Sequence, residues 1–259
     1  MAVSNFMDAA YGDVGNWQGV TGLSLSPDAR YLAILFRYGD AVAYKDGSSY
    51  YSLGSKCRVI LVSLDSGHEV ARAPRWASDN GLCWLPDAQT VLFSSFDDEK
   101  LYQTSKGEVR GSTGYGVDGS KGGKFARSIY AFRLGALNST RFSEGTDPAL
   151  IAQRNLVLVR VGTSVRFLDP SGREQARLDI PRLGHRCVLV SPDGGLILAE
   201  MQRHAPFYPG GVPVLIDASM PSVRHAIGGA FSYKYEWTES TDAASSQASK
   251  VTTRKNDEP

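Results

Sequence analysis

Three consecutive acidic residues, Asp97, Asp98 and Glu99, form the first group in the chain whose chemistry suggests a ligand. Hard cations such as Ca²⁺ prefer carboxylate oxygens, so the cluster could bind a metal ion. The surrounding residues do not follow the spaced ligand pattern of an EF-hand loop. We therefore interpret the cluster as the solvated start of a loop, and we predict no metal ion and no cofactor.

A glycine-rich run from Gly107 to Gly123 is interleaved with lysine and arginine residues. Backbone N–H groups and a lysine can together hold a phosphate. The spacing is not that of a P-loop, however, and no strand-to-helix pattern surrounds it. Stacking on aromatic side chains could hold single-stranded nucleic acid instead. Because the net charge is only +1, no general field attracts a polyanion, and we expect a connecting loop rather than a nucleotide or nucleic-acid site.

The four histidines, His68, His185, His204 and His225, are scattered along the chain. None belongs to an HExxH sequence or lies near paired cysteines, so the pattern does not predict a zinc site. No G-x-S-x-G sequence is present to supply the nucleophilic serine of an α/β-hydrolase. His204 falls in a long insertion and is the histidine that we would test for catalysis.

The elements that must position these residues are indicated by recurring Pro-Asp turns. Each turn separates two short apolar or β-branched runs, which is typical of a β-hairpin. The three turns are Ser26-Pro27-Asp28-Ala29, Leu85-Pro86-Asp87-Ala88 and Ser191-Pro192-Asp193-Gly194. An aspartate in such a turn can accept hydrogen bonds from the backbone two residues on. We therefore predict that Asp28, Asp87 and Asp193 are structural.

A second hairpin follows each first one, with a polar turn between an apolar strand and a more polar strand. The chain thus contains four units of four strands, over residues 20–73, 80–143, 147–180 and 185–227. The third unit has Ala152-Gln153-Arg154-Asn155 in place of the Pro-Asp turn. No run of ten or more residues has a helical period, so we predict an all-β chain. Radial repetition of four-stranded sheets is a β-propeller.

The repeated pattern resembles the WD-repeat-like blades of TolB-like and prolyl-oligopeptidase-type β-propellers. The resemblance rests on the Ser191–Gly194 turn and on Leu61–Gly67, and it covers about residues 20–240. It implies a β-propeller domain over 1–239 with four recognisable blades. Either the chain termini close the ring, with a further strand at Ala230–Trp237 in a fifth partial blade, or another chain completes it. We expect residues 240–259, which are polar and free of aromatics, to form a flexible tail.

Extra residues are concentrated between the second and third strands of the units, over 37–56, 95–127 and 201–211. In an up-and-down blade these connections emerge on one face, and long loops of this kind are often functional. Tyrosine and arginine are favoured at protein-binding hot spots. An alternative is that the aromatic residues only hold long loops against the propeller. The residues that we predict to bind a protein partner are Tyr44, Tyr50, Tyr51, Tyr102, Arg110, Tyr115, Phe207 and Tyr208.

Bulk properties narrow the function further. No apolar run approaches the roughly 20 residues that span a bilayer, and the first residues lack the basic and apolar regions of a secretory signal. Cys57, Cys83 and Cys187 are too far apart for a CxxC motif, so we predict buried thiols. We expect a cytoplasmic, non-catalytic protein-binding module or assembly subunit. The alternative is a small-molecule hydrolase or lyase whose active site, at the axial mouth of the propeller, uses His204, Asp97 and Arg203.

Overall fold

The structure is a computed structural model of the chain. It describes residues 19–46, 49–78, 81–99, 108–109, 126–180, 183–191, 193–201, 212–219, 224–226, 233–238 and 250–255. Within these ranges no helix is both long enough and apolar enough to cross a bilayer.

Four antiparallel sheets follow one another along the chain, and each is a meander in which sequential strands pair. The first sheet contains β1 (Gly19–Leu25), β2 (Tyr31–Asp46), β3 (Ser49–Ser63) and β4 (Glu69–Arg72). The second contains β5 (Leu82–Trp84), β6 (Thr90–Phe96), β8 (Arg127–Arg133) and β9 (Thr140–Glu144), while the short strand β7 (Glu108–Val109) pairs elsewhere.

The third sheet contains β10 (Thr146–Ile151), β11 (Leu156–Val161), β12 (Ser164–Leu168) and β13 (Glu174–Asp179). The fourth contains β14 (Leu183–Val190), β15 (Leu196–Met201), β16 (Val212–Asp217) and β17 (Arg224–Ala226). A separate hairpin pairs β18 (Tyr233–Thr238) with β19 (Lys250–Lys255). The four predicted units are therefore confirmed within a few residues at each end.

The first strand of each sheet lies closest to the neighbouring sheets. β1 contacts β5, β5 contacts β10, and β10 contacts β14, so the four first strands lie side by side around a common axis. The indole Nε1 of Trp84 in β5 donates a hydrogen bond to the carbonyl oxygen of Ser24 in β1 at 2.9 Å. Sheets that radiate from adjacent first strands are the blades of a β-propeller, which confirms the predicted architecture.

Apolar side chains fill the junctions between consecutive blades. Leu35 and Val59 of blade one pack with Phe93 and Phe132 of blade two. Val157 and Val159 on one face of blade three pack on blade two, whereas Leu158 on its other face packs on blade four. Successive residues of a strand point to opposite faces of the sheet. One face of blade three therefore packs in the core shared with blade two, and the other in the core shared with blade four. Burial at three junctions is thus the main stabilising contact between the blades.

The face of blade one that points away from blade two is different. Ile34, Phe36 and Ile60 form a small buried cluster there, but Leu23 is 61% exposed and Leu25 is 54% exposed. Leu23 pairs with Ile34 and Leu25 with Leu32 across the β1–β2 ladder, so these leucines extend the same apolar surface. In a closed ring this surface would pack against a further blade.

The Pro-Asp turns have the predicted local chemistry. Asp28 accepts a hydrogen bond from the Arg30 amide at 3.2 Å, Asp87 from the Gln89 amide at 2.9 Å, and Asp193 from the Gly195 amide at 3.0 Å. The last residue of each turn is left-handed, with φ of 56° at Ala29, 53° at Ala88 and 69° at Gly194. In blade three the residues Ala152–Arg154 form a 3₁₀ turn that ends at left-handed Asn155. These aspartates are therefore structural, as predicted.

Two sequence-based expectations need comment. The strand predicted at Ala230–Trp237 is present as β18, but its partner β19 lies inside the segment that we expected to be a tail from Ser240. The sequence KVTTRK contains β-branched residues that favour a strand, yet its polar character conceals them in a search for apolar runs. Cys57 and Cys83 are buried thiols as predicted, and the side chain of Cys187 lies outside the described part of the structure.

Candidate functional site

The first insertion is a hairpin rather than a loop. β2 and β3 continue past the edge of blade one, pairing Asp40 with Ser55, Tyr44 with Tyr51 and Asp46 with Ser49. We expected an irregular loop over 37–56, and this was wrong in form. The dipeptide Gly47-Ser48 between β-prone residues is a two-residue hairpin signal, and it could have predicted the extension. Register shifts between Arg37 and Ala43 interrupt the ladder where the hairpin leaves the blade, and such bulges bend a strand.

The second insertion returns to the first. β7 pairs in parallel with β2, with Ala43 opposite Glu108 and Tyr44 opposite Val109. The insertions of blades one and two therefore meet, as expected for connections that emerge on the same face. We call the surface built from the extended hairpin and β7 the insertion face.

The predicted partner-binding residues fall into two groups. Tyr44, Tyr50 and Tyr51 lie in the extended hairpin, where Tyr44 pairs with Tyr51 and Tyr50 pairs with Lys45. The remaining predicted residues lie outside the described part of the chain, namely Tyr102, Arg110, Tyr115, Phe207 and Tyr208. The backbone register therefore brings three of the predicted residues together on one hairpin.

At the foot of the hairpin lies an open pocket of about 330 Å³, which we call the base pocket. Its residues come from β2, from β3, and from the end of β4 with the link that follows, all of which lie at the same end of blade one. Its lining residues are Tyr38, Arg58, Arg72, Ala73, Pro74 and Trp76.

Trp76 is the centre of the base pocket. The guanidinium carbon of Arg58 lies 3.4 Å from the centroid of the indole ring, and the Lys56 ammonium lies 4.2 Å from it. The ring of Tyr38 meets Trp76 edge-on, with centroids 5.9 Å apart. Arg58 Nη1 also donates to the carbonyl oxygens of Ala73, at 3.4 Å, and of Pro74. The guanidinium is thus held over the indole by backbone contacts as well as by cation–π attraction.

The pocket carries more positive than negative charge. Glu69 pairs with Arg72 at 2.8 Å, and Glu99 pairs with Arg75 at 3.6 Å. Among the residues whose side chains the structure describes, no carboxylate lies within 4.0 Å of the cationic groups of Lys56 or Arg58.

The titration of both cations reflects this imbalance. Burial lowers the pKa of Arg58 and the neighbouring Arg72 lowers it further, whereas smaller effects of Tyr38 and Glu99 raise it. Burial likewise lowers the pKa of Lys56, with a further contribution from Arg58. An anion placed in the pocket would relieve these unfavourable interactions.

Two residues of the acidic cluster, Asp97 and Glu99, contact arginine or tyrosine side chains. Asp97 accepts a hydrogen bond from the Tyr130 hydroxyl at 3.1 Å and lies 4.0 Å from Arg141. Arg75 stacks 3.8 Å from the Tyr130 ring centroid and donates to the Asp97 carbonyl oxygen at 2.9 Å. Glu99 therefore helps to fasten the link after blade one onto blade two, whereas the Asp97 carboxylate makes its contacts within blade two.

A polar cluster that sequence reasoning missed lies where blades two and three meet. Arg160, only 4% exposed, donates to the Asp147 carboxylate at 2.8 Å and to the Thr146 hydroxyl at 3.2 Å. The Asp147 amide in turn donates to the Ser94 hydroxyl of blade two at 3.2 Å. Because these groups bond to one another across the junction, we interpret them as a brace between blades.

The base pocket was also missed, and for a simple reason. We searched the connections between second and third strands, whereas Arg72 and Trp76 lie at the end of a blade and in the link to the next. The links between blades emerge on the same face as the insertions in an up-and-down meander. Topology alone therefore could have directed attention to Trp76, in the sequence APRWAS.

Comparison with known proteins places the fold in context. No protein-family model matches the chain, and no curated protein does. Solved structures do match. The β-propeller domain of the Trilobed protease from Pyrococcus furiosus is 11% identical with a TM-score of 0.44, over 94% of this chain and 71% of that one. The β-propeller domain of Myceliophteria thermophila Cps50 (Swd1) is 12% identical with a TM-score of 0.45, over 78% and 53%.

TolB from Acinetobacter baumannii is 13% identical with a TM-score of 0.41, over 81% of this chain and 43% of that one. The chain spans about half the length of several structures it matches, including 48% of a eukaryotic initiation factor. The fold is a β-propeller. That assignment rests on the sheet order and on the contacts between first strands, since the identities and TM-scores of the matches are low.

Proposed function

We propose that the chain is a non-catalytic protein-binding module or assembly subunit, and that its partner docks on the insertion face. The observation that carries this proposal is the hairpin β2–β3, which extends beyond blade one and pairs with β7 from the second insertion. The blades themselves do not need this extension, because their ladders and interblade cores lie elsewhere. A paired platform added at one end of a scaffold is a typical place for recognition.

The composition of the insertion face supports the same proposal. Its hairpin carries Tyr44, Tyr50 and Tyr51, and the base pocket beneath it contains Tyr38, Arg58 and Trp76. Tyrosine, tryptophan and arginine are the residues most enriched at hot spots of protein interfaces. The compartment belongs to the proposal as well, since buried thiols such as Cys57 and Cys83 suit the reducing cytoplasm.

The alternative function, a hydrolase or lyase at the axial mouth, gains no comparable support. Of the residues proposed for it, Asp97 is engaged by Tyr130 and Arg141, whereas Arg203 and His204 lie outside the described residues. The pair of buried Arg160 and half-buried Asp147 is bonded within itself and across the blade junction. We therefore retain the protein-binding proposal alone.

The test removes the extension and keeps the blade. Replacing Ala41–Gly54 with Asn-Gly joins the paired residues Asp40 and Ser55 through a turn that suits a two-residue hairpin. The variant should keep the thermal unfolding profile of the parent and should lose most of its partner in quantitative affinity capture from native extract.

The matched control is Leu137→Ser. Leu137 is 88% exposed in the β8–β9 turn, at the end of the molecule opposite the insertion face. Its substitution should leave capture unchanged. Equal capture by the trimmed variant and the control would contradict the proposal.

A further inference from the structure

We propose that the base pocket binds a carboxylate from an acidic segment of the protein partner, with Lys56 and Arg58 as its charge partners and Trp76 as the ring against which both cations lie. This inference rests on the proposed function and adds the chemistry by which the partner is recognised. Lys56 ends the first insertion, whereas Arg58 and Trp76 were not among the predicted binding residues.

The first argument is preorganisation. The contacts of Arg58 with the carbonyl oxygens of Ala73 and Pro74 both use Nη1. A guanidinium carries five N–H donors in a fixed plane, so these contacts orient the group and leave further donors for a ligand. The indole of Trp76 lies against the same guanidinium, with the ring centroid 3.4 Å from its central carbon. A carboxylate that meets a pre-oriented guanidinium loses less side-chain entropy than one that must order it.

The second argument is charge. Lys56, Arg58, Arg72 and Arg75 bring four positive charges, and Glu69 and Glu99 bring two negative charges through the ion pairs at 2.8 and 3.6 Å. Arg72 and Arg75 are thus paired, whereas among the described side chains no carboxylate lies within 4.0 Å of Lys56 or Arg58, and Glu99 acts on Arg58 only from farther away. Each already disfavours its charged form through burial, and Arg58 further lowers the pKa of Lys56. One or two carboxylates would neutralise this partly buried pair through charge-assisted hydrogen bonds.

The third argument selects a protein carboxylate over other anions. Glu69 and Glu99 are paired with Arg72 and Arg75 in the same part of blade one and its link, so their charges oppose a polyphosphate chain more strongly than a single carboxylate. Nucleic acid is held by series of phosphate contacts along a basic surface, and the chain has a net charge of only +1. The pocket also opens at the foot of the extended hairpin, so a partner that docks on the hairpin passes over it.

The experiment uses the full chain and two synthetic peptides, N-acetyl-Gly-Glu-Glu-Glu-Gly-amide and the same peptide with glutamine in place of glutamate. Binding is followed by the NMR signal of the Trp76 indole N–H, assigned by its disappearance in Trp76→Phe. We expect a saturable shift with the glutamate peptide and at least tenfold weaker binding of the glutamine peptide. Raising the salt concentration should weaken the first, because screening acts on charged pairs.

Two variants connect the shift to the proposed charges. Lys56→Gln and Arg58→Gln should each weaken the glutamate peptide about tenfold, which corresponds to ~1.4 kcal/mol. Arg58→Lys keeps the charge but not the planar fork, and it should restore part of the affinity. Arg30→Gln is the matched control, because Arg30 also lies over an aromatic ring, 5.8 Å from the centroid of Tyr31, at the opposite end of blade one. It should have no effect.

Several results would overturn the inference. These are equal binding of the two peptides, no saturable shift at Trp76, or no loss in Lys56→Gln when its thermal unfolding matches that of the parent. Tighter binding of inorganic phosphate or of an oligothymidylate at the same signal would assign the pocket to phosphate instead. Such failures leave the proposed function intact if the trimmed hairpin still loses its partner, so the two claims fail separately.

Discussion

Two Pro-Asp turns end in an alanine whose backbone conformation is strained. Ala29 and Ala88 have the left-handed conformation that glycine adopts at Gly194 in the corresponding turn of blade four. For a residue with a Cβ, this conformation is less stable by about 1–2 kcal/mol. The turns form nevertheless, because the aspartate and serine side chains bond the surrounding backbone amides.

We therefore predict that Ala29→Gly stabilises the protein. Ala29 is exposed, so no packing is lost, and relief of the strain should exceed the entropic cost of glycine by about 0.5–1 kcal/mol. The control Ala136→Gly lies in an exposed turn without a left-handed residue at that position and should be neutral or destabilising. Urea unfolding of both variants measures the difference, and a lower stability for Ala29→Gly would show that the strain is absent.

The turn aspartates predict how stability depends on acid. The hydrogen bond from the Ser191 hydroxyl, and then the one from the Gly195 amide, hold the pKa of Asp193 below its ordinary value of about 3.9. A carboxyl whose folded pKa is lowered stabilises the fold above its unfolded pKa. That stabilisation disappears as the pH falls through the folded pKa.

Asp193→Asn should therefore be less stable than the parent at about pH 7, with a difference that shrinks below about pH 4. Urea unfolding over this range provides the measurement, and Asp28 should behave in the same way because Ser26 lowers its pKa. A difference that stays constant with pH would mean that the carboxylate charge is not what stabilises the turn.

At the scale of elements, the blades depend on the apolar faces of their middle strands. Leu158 is fully buried between blades three and four, whereas Leu23 lies on the outward face of blade one and is 61% exposed. Leu158→Ala should cost about 2–5 kcal/mol, and Leu23→Ala less than about 1 kcal/mol. Chemical denaturation of the two variants compares them directly. A loss at Leu23 as large as that at Leu158 would show that a further blade covers blade one.

The sequence predicts these elements well where the information is local. Apolar runs locate the four blades to within a few residues, with a Pro-Asp turn in three of them, because each hairpin is encoded in its own stretch. The tyrosine-bearing extension was missed only in form, since the Gly47-Ser48 turn signal is present. The parallel pairing of β7 with β2 could not be read locally, because it joins residues more than sixty positions apart. The base pocket has the same limit, since Tyr38, Arg58 and Trp76 meet only when the meander is folded.

At the scale of the molecule, the meander places all the features of the proposed binding surface at one end. The turns between first and second strands and between third and fourth strands lie at one end, where short Asp-containing turns predominate. The insertions and the links between blades lie at the other, and this end holds the extended hairpin, β7 and the base pocket. A scaffold with one plain end and one elaborated end suits a module that binds through a single face.

The most direct measurement of this claim places a photo-crosslinking benzophenone amino acid at Tyr51, in the extended hairpin, and separately at Leu137, at the opposite end. The proteins are illuminated in native extract and their adducts are identified by mass spectrometry. The account predicts one discrete protein adduct at Tyr51 that is absent at Leu137 and is reduced in the presence of the Arg58→Gln substitution. An equal yield of the same adduct at Leu137, or capture of a partner without any adduct at Tyr51, would contradict it.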